Sequence, residues 1–477
     1  MRLEYRKFYR LASKVPSVPG QLPILGLANR VFLASGEDIF KLMREIFSPI
    51  GQSPRKAWLT PAQLLIVVDD IEQLKKVYTI PSCVNRPNLY SAFMAPTGLL
   101  SSNGNLWKNH RKLLNPAFNA GVLKSFLPIL NKKTQILIKV LDEYSNGNEF
   151  DISTFMASFS MDNILSTSLG FHGDSQTDKQ SKLLQNFLGG MFVITKKITN
   201  FWLQYKPIIM LTKYYELEKQ HITNGIHKFV KDFVDEKEKT FDISDISDKP
   251  QIFIDQLFKK RSEFNRNEIE DEIGTIVGTG YETSAYSLSL GVVLLALHPK
   301  IQEKLYDELK NVFRSANEEV SEDNLPQLTY LDLVVKEILR YWPPVSVIVR
   351  YTSDEVEIGD YLIPKETNII IPIYEIHRNK KFWGDDADEF KPERFEGEKF
   401  KNVPAYAYMP FALGPRNCIG LNYATRMIKT TLAYFFRHFR VETDMKLEDI
   451  SLEFVVVTKI VEGFKVKLTR RNFDGDS

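Results

Sequence analysis

The sequence has few cysteines, little net charge and no long hydrophobic run, and each shortage excludes a class of protein. Cys83 and Cys418 are the only cysteines among 477 residues, too few for a disulfide framework, so the chain suits a reducing compartment. A formal net charge of +2 implies no general affinity for nucleic acid. The longest apolar run, Ala285 to Leu297, contains serines and a glycine and is too short to span a bilayer.

No linker rich in proline, glycine or serine divides the chain, and no repeat or low-complexity stretch does so either. Although the length would allow about three domains, we predict one large domain over residues 31–477. Hydrophobic residues make up 43% of the sequence and aromatic residues 12%, which is enough for a large core. Residues 1–30 are predicted to be a separate segment, with a basic stretch at 1–14 followed by a proline-rich hinge at 16–23.

Helical periodicity dominates the rest of the chain. Amphipathic spacing predicts helices over Val122–Leu141, Lys219–Glu236, Glu268–Leu297, Pro299–Phe313, Leu331–Tyr341 and Leu421–Phe436. Strand patterns are short and predict single strands over Gln63–Val68, Val347–Tyr351, Glu355–Leu362 and Asn368–Ile373, with a final pair of strands within Leu452–Leu468. We therefore predict a mainly α fold with small peripheral sheets.

The stretch from Phe411 to Gly420 carries the most chemical information. It places Cys418 in a glycine-bounded loop beside Arg416, just ahead of a predicted helix. The N–H groups and the positive dipole end at a helix N-terminus stabilise negative charge, so a thiolate there is suited to ligating a metal. A lone cysteine is more often a small buried hydrophobe, and the neighbouring residues are what favour a functional role.

The loop resembles the haem-binding signature of the cytochrome P-450 family, Phe-x-x-Gly-x-Arg-x-Cys-x-Gly, which is matched here by Phe411, Gly414, Arg416, Cys418 and Gly420. The resemblance implies the family fold, with haem b held non-covalently between the long central helix and the cysteine loop. It also implies that Cys418 ligates the iron. Ala412 is a departure, because serine or glycine is usual at that position.

A second motif places Glu337 and Arg340 three residues apart, ahead of a double proline. Residues with this spacing share a helix face, and such a pair alone is usually an exposed ion pair that contributes little. In the family, this glutamate and arginine bond the arginine of a later motif, which here is Arg394 within Phe390–Phe395. The resemblance therefore gives all three residues a structural role in the core behind the haem.

A third motif comprises Gly280, Glu282 and Thr283 inside a long apolar helix. Glycines are unfavourable in helices, and we explain Gly280 and the nearby Gly274 and Gly278 by a local distortion that opens space for a ligand. A helix-packing glycine and a capping threonine are the alternative explanation. The segment resembles the family's oxygen-activation motif, which implies that Glu282 supplies protons from solvent and that Thr283 organises the hydrogen bond.

Thr279 precedes this motif and departs from the fourth-family members that the chain resembles most. Many of them have a glutamate there that can esterify the haem. We therefore expect no covalent link to the haem, and a simple transfer of terminal fatty-acid hydroxylation does not follow.

A fourth motif places Trp107 and Arg111 four residues apart on one face of a predicted helix. A packing or cation–π pair is the ordinary explanation, but in the family both residues reach a haem propionate. The resemblance makes Arg350 and Arg416 further propionate partners, since arginine forms charge-assisted bonds with carboxylates. His377 matches a common structural histidine, so we predict a core or propionate-side position and no axial role.

Together these motifs imply a haem-thiolate monooxygenase that inserts one atom of dioxygen into a lipophilic substrate, such as a fatty acid, terpenoid, steroid-like lipid or foreign compound. The resemblance places the pocket wall in Pro87–Leu100, the Met191 region, the helix before Gly280, Val345–Ile348 and Val455–Val457, where no carboxylate clamp is evident. One alternative is an oxygen-independent isomerase or dehydratase, against which Glu282 and Thr283 argue. The other is a haem-binding sensor or carrier, against which the intact propionate and electron-transfer residues argue.

The resemblance also implies partners. The expected electron donor is an NADPH–cytochrome reductase, with cytochrome b5 as an additional candidate, and Lys108, Lys112, Arg426 and Lys429 are predicted near the face that it would approach. A basic stretch and proline hinge follow the membrane helix of microsomal members, which this sequence lacks. We expect a peripheral protein on the cytoplasmic face of the endoplasmic reticulum, with a mitochondrial presequence as the runner-up. Aromatic residues beside lysines at Met191–Leu211 predict contact with a membrane surface.

Overall fold

The structure is a computed structural model that describes residues 2–22, 25–32, 34–48, 53–60, 63–93, 95–178, 180–241 and 250–473. Met1, Pro23 and Ile24 of the predicted N-terminal segment lie outside the described residues, as does Met94 of the predicted pocket wall. The α-helices in chain order are α1 (Arg2–Lys14), α2 (Ala28–Val31), α3 (Gly36–Phe47), α4 (Ile71–Thr79), α5 (Gly104–Leu114), α6 (Ala120–Ser125), α7 (Leu127–Asp142), α8 (Ser153–Ile164), α9 (Lys182–Thr199), α10 (Lys206–Ile209), α11 (Lys213–Leu217), α12 (Lys228–Thr240), α13 (Phe253–Lys259), α14 (Arg266–Leu297), α15 (Pro299–Val312), α16 (Thr329–Tyr341), α17 (Ile373–Ile376), α18 (Lys380–Trp383), α19 (Gly397–Lys401) and α20 (Leu421–His438).

Four small sheets accompany these helices within the described ranges. Their strands are β1 (Arg55–Thr60), β2 (Gln63–Val67), β3 (Asn146–Asp151), β4 (Ile348–Tyr351), β5 (Val356–Ile358), β6 (Tyr361–Ile363), β7 (Asn368–Ile371), β8 (Phe439–Glu442), β9 (Leu452–Val455), β10 (Val457–Ile460) and β11 (Lys465–Arg470). The sheet orders are β1-β2-β7-β4, β3-β11-β8, β5-β6 and β9-β10. The first sheet mixes antiparallel pairs with the parallel pair β2–β7. The fold is thus mainly α with small sheets, as the sequence predicts.

Helix α14 forms the centre of the fold. Its first turn is fixed by Asn265, whose side chain accepts a hydrogen bond from the Glu268 N–H (3.0 Å) while the Glu268 carboxylate accepts one from the Asn265 N–H (2.8 Å). This reciprocal capping satisfies N–H groups that a helix start leaves open. The second half of α14 is buried almost all round, against α8, α16 and α20. This packing holds the second half of α14 rigidly, and the first half lines a cavity.

Two of the predicted helices differ in detail. The helix predicted over Val122–Leu141 is two helices, α6 and α7, that meet at Phe126. Pro128 explains the break, because its ring cannot follow a preceding helical turn but is tolerated in the first turn of α7. The helix predicted over Lys219–Glu236 runs from α11 to α12 through a π-helical segment, Glu218–His227.

Two strand predictions differ from the structure in detail. The strand predicted over Glu355–Leu362 is the hairpin β5–β6, which turns at Gly359 with a φ of +57°. The final pair predicted over Leu452–Leu468 is present as the hairpin β9–β10, and a third strand, β11, follows it and joins the sheet of β3 and β8. Val456 links β9 to β10 with a φ of +69°, a conformation that a β-branched residue rarely adopts, so sequence patterning gives no signal for this turn.

The N-terminal segment packs on the rest of the fold. Ala12 and Val15 are buried in one apolar cluster with Leu64 and Ile66 of β2. In the described ranges, inside this segment and outside it, no single helix is long and apolar enough to cross a membrane.

Candidate active site

A cavity of about 520 Å³ lies between α14 and the cysteine loop. Its walls include Cys418 and Phe411 from the loop and Glu282 and Thr283 from α14. The remaining wall is mostly apolar and comes from the segments before α5, from α9 and from the turns after α16 and β9. Its apolar members include Leu89, Phe93, Phe187, Met191, Ile194, Ile222, Ile226, Val347 and Phe454. The structure therefore brings the third motif and the cysteine to one mostly apolar cavity.

The cysteine loop has unusual backbone conformations at two positions. Gly414 has a φ of +70°, and a Cβ atom there would lie 2.7 Å from the Tyr78 carbonyl oxygen, so only glycine fits. Ala412 has a φ of +56°, which is unfavourable for alanine and explains why glycine suits this position better. The Cys418 N–H donates to the Phe411 carbonyl (2.9 Å), which closes the loop.

The Cys418 side chain faces the cavity, so its surface is accessible although protein surrounds it. Burial raises the pKa of the thiol, and the Gly420 N–H and the Arg111 guanidinium only partly oppose this effect. At this sulfur desolvation outweighs the helix N-terminus. A metal cation bound there would favour the thiolate. A Cβ atom at Gly420 would lie 3.9 Å from the Cys418 Sγ, an ordinary van der Waals contact.

Arg111 and Trp107 lie on α5 and reach the cysteine loop. Arg111 donates from Nη1 to the Asn417 carbonyl (2.8 Å) and from Nη2 to the Asn417 side-chain oxygen (2.9 Å). Arg416 stacks over the Trp107 ring at 4.1 Å and donates to the carbonyls of Val84 and Leu99, both at 3.1 Å. These contacts join α5, the loop before it and the cysteine loop into one unit.

Two more arginines complete a positive cluster beside the cavity. Arg350 is 2% exposed, packs over the Tyr78 ring, and leaves its Nη2 without a partner among the described residues. Arg86 lines the cavity, donates to the Tyr90 hydroxyl and the Val349 carbonyl (both 3.0 Å), and has a buried Nε without a partner in the same described part of the chain. Arg350 itself does not line the cavity.

These arginines destabilise one another. Burial and the neighbouring guanidinium groups lower the pKa of Arg350 to about 9 and that of Arg416 to about 8. Arg86 contributes to both shifts. A buried cationic cluster of this kind needs anions. The two propionates of a haem fit that need, and Cys418 presents the sulfur ligand on the same cavity, so the residues present fit a haem. Arg86 was not predicted from the sequence, where its only signal is its place just before the predicted pocket wall, Pro87–Leu100.

Glu282 is 3% exposed and lines the cavity. Burial raises its pKa to about 7, and the Lys459 ammonium group of β10 opposes part of that rise. A carboxyl with such a pKa exchanges protons readily at neutral pH, as an acid–base group must. Next to it, the Thr283 hydroxyl donates to the Thr279 carbonyl at 2.8 Å and also lines the cavity.

The glycines of α14 differ in what they contact. Gly274 and Gly278 line the cavity, and a Cβ atom would meet nothing within 4 Å at the first and Phe187 at 3.7 Å at the second. At Gly280 a Cβ atom would lie 2.7 Å from Ile164, so this glycine permits the close approach of α8. The helix is continuous from Arg266 to Leu297, so no break accompanies these glycines. The missing side chains at Gly274 and Gly278 leave space in the cavity wall.

Glu337, Arg340 and Arg394 form a buried network. Glu337 accepts from the Arg340 Nε (2.6 Å) and Nη2 (2.8 Å) and from the Arg394 Nε (3.0 Å). The Arg340 Nη1 also donates to the carbonyls of His377 and Ala387, both at 2.8 Å. The network thus ties α16 to the chain that leads to the cysteine loop.

His377 occupies the core. Its Nε2 accepts a hydrogen bond from the Met409 N–H (2.9 Å), two residues before Phe411. Complete burial lowers its pKa to about 3, with Arg340 adding to the effect, so the ring is neutral. It does not line the cavity and therefore supports the loop rather than facing a ligand.

The π-helical segment supplies a wall that the sequence analysis did not predict. Ile222, Ile226 and Val230 recur every four residues along the continuous helix from α11 to α12 and line the cavity. Their apolar spacing is visible in the sequence. The sequence does not show that this face lines a cavity; the folded structure does.

Comparison with known proteins agrees with this geometry. A family model described as Cytochrome P450 matches residues 16–468. The chain is 33% identical over 455 residues to a protein named Probable cytochrome P450 313a4 from Drosophila melanogaster, with 93% of this chain and 91% of that protein covered. It is 27% identical to human Cytochrome P450 4V2 (98% and 92% covered) and 29% identical to Cytochrome P450 4c21 from Blattella germanica (99% and 96% covered). The chain belongs to the cytochrome P450 family of haem-thiolate monooxygenases, whose haem b is bound non-covalently through a cysteine thiolate.

Proposed function

We propose that this monooxygenase hydroxylates a lipophilic molecule with electrons from NADPH, and that Cys418 is its iron ligand. The observation that carries the proposal is the single apolar cavity that joins Cys418 to Glu282 and Thr283. Lipophilic substrates fit such walls, since burial of apolar surface drives their binding. A fatty acid, terpenoid, steroid-like lipid or foreign compound are the candidate classes.

The haem, when bound, supplies the iron and the thiolate-assisted oxygen chemistry. The chain's own contribution is the control of protons at the cavity wall. Glu282, with a pKa of about 7, takes protons from solvent, and the Thr283 hydroxyl passes them on after leaving the Thr279 carbonyl. The apolar walls exclude bulk water from the rest of the cavity and so limit unproductive proton transfer.

The haem propionates are assigned to Trp107 and to the positive cluster of Arg111, Arg350, Arg416 and Arg86. Among the described residues, buried N–H groups of Arg86 and Arg350 have no partner, and these support the assignment most directly. Phe411, Gly414 and Gly420 shape the loop around the sulfur. Glu337, Arg340 and Arg394 act at a distance by holding the chain that carries that loop.

An NADPH–cytochrome reductase is the proposed electron donor, with cytochrome b5 as an additional candidate. Lys108 and Lys112 lie exposed on α5 and are suited to an acidic partner. Arg426 pairs with Glu322, and Lys429 lies 3.5 Å from Asp332. We therefore place the contact nearer to α5 than to α20.

We propose a location at the cytoplasmic face of the endoplasmic reticulum membrane, with mitochondria as the runner-up. Support comes from the region after α9, where Tyr205, Met210 and Leu211 are 62%, 51% and 90% exposed. Trp202 packs on Phe32 at 4.9 Å, so Leu211 is the better probe of membrane contact. Weaker sedimentation of Leu211→Glu with liposomes, relative to the parent, would support this location. We further propose residues 31–477 as the catalytic domain, on which the described part of the N-terminal segment packs through Ala12 and Val15.

Reconstitution tests the proposal. Purified holoprotein is mixed with NADPH–cytochrome reductase or with a ferredoxin and its reductase, and incubated with lipophilic compounds under isotopically labelled dioxygen. The proposal predicts NADPH consumption that needs the first reductase and a substrate, with one labelled oxygen atom in the product. Product without labelled oxygen would favour the isomerase or dehydratase. Tight ligand binding with no turnover under either donor would favour the sensor or carrier.

A further inference from the structure

One face of α14 lines the cavity from Asn267 to Thr283, and most of its side chains are polar. Its members recur at spacings of three and four residues, which places them on one side of a helix. They are Asn267, Glu270, Asp271, Gly274, Thr275, Gly278, Thr279, Glu282 and Thr283. Large apolar side chains face this stripe from the other walls, as at Phe187, Ile194 and Ile226. A bound molecule therefore lies between one polar wall and several apolar ones.

The start of this stripe is acidic and open to water. Asp271 precedes Thr283 by twelve residues in α14, which corresponds to about 18 Å along the helix axis. Asn267 and His227 line the cavity there and are exposed, and Glu270 and Asp271 are half-buried. We call these four residues the acidic opening. It lies far from the residues that act on the reacting end of the substrate.

The two carboxylates of the acidic opening are fixed but not fully neutralised. Asp271 Oδ2 accepts from the Thr97 N–H (2.9 Å) and hydroxyl (2.6 Å), which are uncharged donors. Glu270 accepts from the Arg266 Nε at 2.7 Å. That arginine is shared, because Asp235 and Glu238 also pair with it at 2.6 and 2.8 Å. Lys228, next to His227, pairs with Asp232 at 2.9 Å.

The positive groups of the cavity wall lie at its other end. Arg86, Arg111 and Arg416 border the cysteine loop, where the haem propionates would use their charge. A substrate carboxylate would therefore find cations only where the cofactor already supplies anions. At the acidic opening it would meet Glu270 and Asp271, and like charges this close repel.

We infer that this site takes lipophilic molecules whose polar end donates hydrogen bonds and carries no negative charge, and that this end lies at the acidic opening. A hydroxyl or amide N–H can donate to the Glu270 or Asp271 carboxylate, a charge-assisted bond that a carboxylate ligand cannot form. Selectivity comes from repulsion as much as from attraction. The inference rests on the proposed function, because it concerns the substrate of the same cavity.

The test measures ligand binding by the spin-state shift of the haem absorption band in the ferric holoprotein. Three probes share a twelve-carbon chain: dodecan-1-ol donates a hydrogen bond, methyl dodecanoate only accepts, and dodecanoate is an anion. The inference predicts the lowest apparent Kd for the alcohol and the highest for dodecanoate, about tenfold or more apart. Dodecanoate binding as tightly as the alcohol, or more tightly, would overturn it.

Variants assign the preference to the acidic opening. Glu270→Gln and, separately, Asp271→Asn should narrow the ratio of the two Kd values by about threefold or more, since each removes a negative charge and keeps an acceptor. Glu263→Gln is the matched control, because Glu263 is exposed, does not line the cavity and loses the same charge. An unchanged ratio in both cavity variants contradicts the inference.

The reduced, carbon monoxide-bound spectrum of the same samples separates this inference from the proposed function. A thiolate-type spectrum without head-group selectivity would refute the inference alone. A spectrum that lacks the thiolate signature would refute the proposed function and the inference with it.

Discussion

The Arg416 guanidinium lies over the Trp107 ring, 4.1 Å from its centroid, and so connects the cysteine loop to α5. The same arginine donates to the carbonyls of Val84 and Leu99 and to the Asn103 side chain. It therefore fixes the backbone on the side of the cavity where the propionates are proposed to bind. Lysine keeps the charge at such a site but not the forked geometry.

We predict that Arg416→Lys loosens the haem. Residues that support metal-site ligands typically change affinity by about tenfold or more when replaced, so we expect a haem dissociation rate raised by about that factor. The measurement is the transfer of haem to excess apomyoglobin, followed by absorbance. Arg440→Lys is the control, because Arg440 is exposed on β8. Equal rates for parent and Arg416→Lys would refute the role given to Arg416.

Removal of the Glu337 carboxylate charge should destabilise the fold strongly. Glu337→Gln leaves Arg340 and Arg394 buried with one anion fewer, and breaking a buried ion pair costs about 3–5 kcal/mol. The measurement is the free energy of unfolding in urea, together with the yield of folded protein. Glu398→Gln, at a side chain that is 81% exposed, should stay within about 0.5 kcal/mol of the parent. A similarly small effect for Glu337→Gln would show that the network contributes little.

Oxygen chemistry should become less efficient as the pH rises through 7. Glu282 is mostly protonated below its pKa of about 7 and mostly ionised above it, so fewer molecules have a proton to give at higher pH. We expect the product formed per NADPH consumed to fall between pH 6 and 8. In Glu282→Gln this yield should be low and nearly independent of pH.

Lys459 offers a check on that assignment. Its ammonium group lowers the pKa of Glu282, so Lys459→Gln should move the fall in yield to higher pH. Lys467→Gln on β11 loses the same charge at a side chain that is 30% exposed and does not line the cavity, and it should leave the profile in place. If the dependence of product yield on pH is unchanged in both Glu282→Gln and Lys459→Gln, another group controls the protons.

Ala412→Gly should stabilise the cysteine loop. The left-handed conformation costs an L-residue about 1–2 kcal/mol, and part of the gain is lost because glycine is more flexible when unfolded. We expect a net gain of about 0.5 kcal/mol, read as a higher midpoint for thermal unfolding. Ala405→Gly, at an exposed position with ordinary backbone angles, should lower the midpoint. A lower midpoint for Ala412→Gly as well would contradict the strain argument.

Much of the fold could be predicted from the sequence, because helices and strands are largely determined by residues close together in the chain. The periodicity of α14 placed that helix to within a few residues, over Glu268–Leu297 against the observed Arg266–Leu297. The break at Phe126 was missed although Pro128 marks it, since amphipathic spacing continues across the break. The turn at Val456 could not be predicted, because its backbone conformation is set by packing rather than by residue preference.

The residues of the candidate site were likewise predicted only in part. The motif residues were found in sequence because their types and spacing are specific. The raised pKa of the Cys418 thiol could not be predicted, because desolvation depends on all the residues that fold around the sulfur. Arg86 and the acidic opening were likewise invisible, since they gain their roles from residues distant in the chain.

The most direct test of the account is the absorption spectrum of the reduced protein with carbon monoxide bound. We predict a red-shifted haem band in the parent, its loss in Cys418→Ala, and its retention in Cys83→Ala, which removes the buried cysteine outside the cavity. A histidine-type band in the parent, or a red-shifted band that survives Cys418→Ala, would contradict the central claim that the Cys418 thiolate holds the haem iron.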